Sequence, residues 1–220
     1  MGIQERKEKQ KLEIRKLILD ASMKLFVEEG FENVTIRRIA DLIEYSPTTV
    51  YLYFKDKDEI FTSLHDIGFQ KMQEFNRNLA SIQNPFLRLH KMGENYLHFG
   101  MENPEYYSLM FIDSEPMKKL ALEGCDEWKP GDGAIQRLKE TVIECIEKGY
   151  LEKEDPLLVS LSIWSFVHGL MSLAIRERME KFVTQKEMLL PVMMSSLNWF
   201  VNNIETRGKK QKYFPLGDDL

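Results

Sequence analysis

No stretch of the chain alternates apolar and polar residues in the way a half-buried strand would. Apolar positions recur instead at three- and four-residue steps, the period of helices packed on one face. Ile14, Leu17, Ile18, Ala21 and Leu25 predict a first helix that Gly30 ends. Thr35 followed by Ile36, Ile39, Ala40 and Ile43 predicts a short second helix with a hydroxyl N-cap. Ser46-Pro47 restarts the chain, with serine as N-cap and proline at the first helical position, for a third helix to about Phe54. Asp56 and Glu59 have the spacing of a capping box that opens a long fourth helix to about Ala80. Pro85, Pro104 and Pro156 mark later starts, giving helices near 85–102, 104–112, 133–149, 157–180 and 186–205, with Gly131-Asp132-Gly133 as a loop. The span 113–132 is the least regular, and 206–220 reads as a frayed tail. The expected fold is all-α, with about nine helices.

The most informative stretch runs from Val34 to Phe61. Two short helices joined by a few residues bury little alone and need the first helix as a third wall. The arrangement makes sense if the second of the pair shows its outer face to something else, as the recognition helix of a helix-turn-helix does in the major groove. Pro47, Thr48 and Thr49 suit that place: small side chains let the backbone approach, hydroxyls hydrogen-bond, and methyl groups can meet a thymine. Val50 and Phe54 read as core. Tyr51, Tyr53 and Lys57 read as phosphate contacts, with Arg37 and Arg38 adding cationic reach. A packed aromatic cluster at Tyr51-Leu52-Tyr53-Phe54 is the plainer alternative. From about Arg15 to Phe69, through ILDASMKLFVEEGFENVTIRRIA and SPTTVYLYFKDKDEIF, the chain closely resembles the DNA-binding domain of the TetR family of bacterial regulators. The resemblance implies a homodimer on DNA, with Thr35, Arg37, Ser46, Thr48, Thr49, Tyr51, Tyr53 and Lys57 at the DNA-contact positions. One departure is Glu44, where the inter-helix turn of the family usually carries glycine; a positive φ there implies strain or a different turn. Residues 1–18 hold six cations among three glutamates, suiting either an extended basic arm or a solvated helix with Glu–Lys pairs.

The expected organisation is a DNA-binding domain at 1–56, a ligand-binding and dimerisation domain at 57–205 whose first helix links the two, and a tail at 206–220. Trp164 and His168-Gly169 resemble the Trp/His-Gly signature of one C-terminal subclass of the family. Ser162, Ser165, Gly169 and Ser172 form a small-residue stripe, and the last helix is apolar on several sides. Ser165, Gly169, Ser172, Met193, Leu197 and Phe200 are therefore candidates for a four-helix dimer interface. Tyr96, Met101, Tyr106, Tyr107, Met110, Phe111, Trp164 and His168 are candidates to line a pocket for a small, largely apolar effector, although each would fill an ordinary core equally well. His90, Glu94, His98 and Glu102 step by four, yet each step turns ~40° around the helix, so the stripe drifts from core to water and no metal is expected.

Charge and composition narrow the picture without overturning it. Thirty Lys and Arg against 35 Asp and Glu leave −5, which excludes a bulk polycation, so nucleic-acid binding must come from a local patch. Two cysteines make no disulfide framework or zinc spacing. Charges occupy the N-terminal positions where a signal peptide needs an apolar core, so the expected location is cytoplasmic. The apolar run 156–175 is long enough to cross a bilayer, but its serines, histidine and glycine favour a helix buried on most sides of a bundle. No catalytic motif and no cofactor fingerprint is present, so the expectation is a DNA-binding regulator, not an enzyme. The competing expectation is a sensor of the same fold that has lost DNA binding through Glu44.

Overall fold

A computed structural model describes residues 2–112 and 129–206. Among these residues lie nine α-helices and no strand: α1 (Ile3–Glu29), α2 (Ile36–Leu42), α3 (Pro47–Tyr51), α4 (Lys57–Asn76), α5 (Pro85–Glu102), α6 (Pro104–Tyr107), α7 (Lys129–Glu147), α8 (Pro156–Ile175) and α9 (Leu189–Ile204). Most of the irregular span 113–132, including Cys125, and the tail beyond Thr206 fall outside the described residues.

The helix starts follow local chemistry. The hydroxyls of Thr35 and Ser46 accept from the backbone N–H groups of Arg38 and Thr49, each at 3.1 Å. The Asp56 carboxylate accepts from Glu59 N at 2.8 Å, while the Glu59 carboxylate accepts from Lys55 N at 2.6 Å, one residue before the reciprocal position of a standard capping box. Asn84 and Asp155 cap α5 and α8, each ahead of a proline that has no N–H to satisfy. One start decides between two expectations, and another differs from its expectation. Helix α1 begins at Ile3, so the basic N-terminus is a helix extension and not an extended arm. Helix α7 begins at Lys129 and absorbs Gly131-Asp132-Gly133, because Pro130 suits a first helical turn and carries the glycines with it.

Three helices end the same way. After α2, Glu44 N–H donates to Asp41 O and Tyr45 N–H to Ala40 O, the paired bonds of a Schellman cap, and Glu44 takes φ 60°. Gly149 ends α7 at φ 71° and Glu177 ends α8 at φ 56° with the same two bonds. A left-handed glutamate is strained where glycine is not, so Glu44→Gly should stabilise the protein by about 0.5–1 kcal/mol, read as a higher Tm in thermal unfolding.

The described residues divide into two compact units, 2–68 with 105–112, and 69–104 with 129–206. The first extends beyond the expected boundary at 56 because α4 continues its packing to Gly68 and because Leu109 returns to the same core. That core gathers Ile18, Leu25, Phe26, Ile39, Val50, Phe54, Ile60 and Leu64 around Leu109. Phe26, Phe31 and Phe61 meet with ring centroids 4.9–6.0 Å apart. Gly68 is enclosed by Met110 and Tyr106, leaving no room for a Cβ, and Ser108–Ile112 is wound as a π-helical turn.

Buried His65, on α4, has its pKa lowered by burial from 6.5 to about 4. The unfolded chain therefore takes up the proton first on acidification. Stability is full above pH 6.5 and falls as pH drops toward 4, by ~3 kcal/mol over that window. Denaturant titrations from pH 7.5 to 4 should show that loss, and His65→Gln should flatten it.

In the second unit, α5 is the central helix. Its Gly93 and Gly100 let Leu197 of α9 and Met171 of α8 approach where a Cβ would collide. His90 Nε2 meets Asn198 Oδ1 at 2.7 Å, and burial holds its pKa down against the pull of that bond and of Glu94. Cys145 is enclosed, its thiol pushed up to about 12 by burial. No cluster of potential metal ligands exists among the described residues.

Candidate nucleic-acid interface

Helix α3 divides its residues sharply. Val50 and, just beyond, Phe54 are buried and hold the helix on the core. On the other side Thr48 is exposed, Tyr51 is 56% exposed and Leu52 76% exposed. Ser46 Oγ lies 2.9 Å from Thr49 Oγ1, so both hydroxyls are ordered at the helix start. Thr35 is exposed at the start of α2, and beside it Arg37 is exposed with no ion pair among the described residues. Arg38, in contrast, is committed to Glu29: Nε and Nη2 reach the same carboxylate oxygen at 3.1 and 2.8 Å, raising its pKa. The surface thus offers Thr48 and Tyr51 as side chains with exposed polar atoms, flanked by Thr35, Arg37, Ser46 and the half-buried Pro47, Thr49 and Tyr53.

Lys57, expected as a phosphate contact, is engaged within its own unit. Its ammonium donates to the Phe31 carbonyl at 2.6 Å and sits 4.1 Å from the Phe31 ring centroid. Arg15, which the sequence did not single out, plays a matching part. Its guanidinium donates to Tyr53 O at 3.1 Å and Ser63 Oγ at 3.2 Å, and lies 4.2 Å from the centroid of the Phe54 ring. Arg15 thus fixes the aromatic turn after α3, and Lys57, at the start of α4, ties that helix to Phe31. Only the chemistry of arginine and lysine over aromatic faces pointed to them; the partners lie far off in sequence.

The candidate effector residues fall into two groups. In the second unit Tyr96, Trp164 and His168 come together: Trp164 Nε1 donates to Tyr96 Oη at 3.3 Å, and that hydroxyl lies 3.3 Å from His168 Nδ1. The indole and imidazole rings are 5.8 Å apart, and burial lowers the His168 pKa. Met101 is half-buried near the end of α5. In the first unit Tyr107 and Met110 are enclosed, Tyr106 and Phe111 are half-buried, and Tyr107 meets Phe111 at 5.1 Å. Burial, then Asp20 and Glu105, raise the Tyr106 pKa.

The candidate dimer residues also separate. Met193 and Leu197 are corrected: with Leu189 and Val201 they form the inward face of α9 and are core of their own chain. Phe200 stacks on Phe166 at 4.1 Å. Ser165 stays exposed and Ser172 half-buried, and open space surrounds the place of a Cβ on Gly169. Helix α8 itself corrects the expectation of burial on most sides. Its mean hydropathy is 1.7, yet only 22% of it is buried, and Leu157, Leu158, Leu161 and Leu173 are exposed.

Residues 18–64 match the N-terminal model of the bacterial regulatory proteins of the TetR family, and 89–197 match a tetracycline-repressor-like C-terminal domain. The chain belongs to the TetR family and, like its relatives, is a DNA-binding transcriptional regulator. The HTH-type transcriptional regulator HbdR of Aromatoleum sp. (strain CIB) is 37% identical over 159 residues, 71% of this chain and 68% of that one. Two solved structures share the fold. The ketosteroid transcriptional regulator KstR2 of Mycobacterium tuberculosis superposes with a TM-score of 0.68 at 18% identity, covering 87% of this chain and 95% of its own. The fatty acid degradation regulator FadR of Bacillus halodurans gives 0.62 at 15%, covering 82% and 94%.

Proposed function

We propose that this chain is a homodimeric, cytoplasmic repressor that holds a near-palindromic operator and releases it when a small, largely apolar ligand enters the second unit. The observation that carries the reading is α3, whose inner face is spent on the core while Thr48 and Tyr51 stand outward beside Arg37, which has no ion pair among the described residues. Major-groove reading needs that division.

Dimerisation is supported by α8. An apolar helix this exposed needs a cover, and a second copy presenting the same Ser165, Gly169 and Ser172 stripe allows two helices to approach closely. Trp199, 57% exposed on α9, would share that cover. Two copies would place two recognition helices for half-sites about 34–36 Å apart, or a multiple of that distance.

The effector reading rests on the half-buried Tyr96–His168–Trp164 chain of hydrogen bonds in the second unit. Apolar walls with one polar patch fit a hydrocarbon body with a polar end. The ketosteroid and fatty-acid names of two proteins with the same fold are chemistry of that kind. Ligand and operator affinities would then be linked reciprocally, with a coupling of about 1–3 kcal/mol. Anisotropy titrations of DNA flanking the protein's own gene test this, with and without saturating long-chain fatty acid or sterol. The reading expects binding that one of these ligands weakens at least fivefold; DNA binding that every such ligand leaves unchanged overturns the effector part.

A further inference from the structure

The first turns of α1 have no packing role. Residues 4–13 are all exposed, the unit's core begins at Ile14, and yet the helix is continuous from Ile3. An isolated, polar helix end of this kind is marginal in water, so it gains its use outside the fold.

The extension borders an open groove of about 350 Å³, lined by Lys7, Gln10, Lys11 and Ile14 from α1 and by Leu52 and Tyr53 from the end of the recognition helix. Lys7 and Lys11 are one helical turn apart on this side, and neither has an ion pair among the described residues. Lys9 points elsewhere and pairs with Glu13 at 3.9 Å. At ~100° per residue, Glu5 and Glu13 turn to other sides of the helix, while Glu8, three residues before Lys11, flanks the pair ~60° to one side. Arg15, next on the same side, ties α1 to the exit of α3 through the Tyr53 carbonyl. The two lysines are thereby held at a fixed angle to the recognition helix and continuous with its exposed face.

We propose that Lys7 and Lys11 grip backbone phosphates of the DNA just outside the stretch that α3 reads. The occupant follows from charge: two free ammonium groups beside a surface that already faces DNA select a polyanion, and phosphates spaced along a backbone can meet cations one helical turn apart. The contact sets register and adds affinity without reading sequence. It rests on the assignment of α3 as the reading helix.

The test is an anisotropy salt series on the full-length protein, the double variant Lys7→Ala/Lys11→Ala and the control Lys9→Ala. Each is titrated with DNA flanking its own gene and with a mixed-sequence duplex. Alanine keeps the helix, being its strongest former. The double variant is expected to bind both duplexes ~10-fold more weakly, with log K against log salt shallower by ~1.8 per protomer, about 0.9 for each lost phosphate contact. Lys9→Ala should keep the wild-type slope. A double variant with the wild-type slope and affinity overturns the phosphate grip while leaving the α3 assignment intact. A wild-type protein that binds neither duplex overturns both.

Discussion

Alanine at Thr48 and Tyr51 together should weaken operator binding by about 30–150-fold, a loss of about 2–3 kcal/mol, while leaving the protein folded. Each side chain reaches outward from α3 and neither contributes to the core, so the two losses fall on the interface with DNA. Binding to mixed-sequence DNA should drop much less, since phosphate contacts elsewhere survive. Circular dichroism and Tm provide the control: Val50, Phe54 and the Ser46 cap are untouched, so both should stay close to wild type. Arg15 offers the contrast. Arg15→Ala removes two hydrogen bonds and a cation–π contact from under the same turn, and its damage would appear in Tm as well as in DNA affinity.

A larger effect is expected from Ser165→Glu with Leu173→Glu. Both positions are exposed on α8 of the single chain, so neither change disturbs a described core. In a dimer built on that helix they would bury four uncompensated carboxylates, at several kcal/mol each. Sedimentation should show a monomer, and operator affinity should fall more than 100-fold, because one half-site contact replaces two. A dimer that persists in this variant places the interface elsewhere.

The parts of the fold legible in the sequence were those decided within a few residues. Thr35, Ser46 and Asp56 announce their helices because a cap bonds to N–H groups two or three positions on, and Pro85 and Pro156 mark two more starts because proline fits the first helical turn. Glu44 announced its own strain because the turn between α2 and α3 needs a left-handed residue, and it has one. What the sequence left hidden lies where distant partners decide. Lys57 is spent on Phe31, 26 residues away, and Arg15 on Tyr53, 38 residues away. Periodicity showed α9 to be apolar on several sides, but not that Met193 is enclosed in its own chain and Leu197 meets α5 while Trp199 does not turn inward. For α8 composition gave the apolarity, and only the structure gave the exposure that asks for a partner. The path of the chain was equally hidden: nothing local says that Leu109, coming after α5, belongs to the core of the N-terminal unit.

The central claim is that two copies of α3 read one operator together, and a footprint on the DNA flanking the protein's own gene tests it most directly. The expected result is two protected half-sites related by a near-dyad, with centres one helical turn of about 34–36 Å, or a multiple of it, apart. Both should vanish together in the Thr48→Ala/Tyr51→Ala variant. A single protected half-site without symmetry, or protection that survives the double substitution, would contradict it.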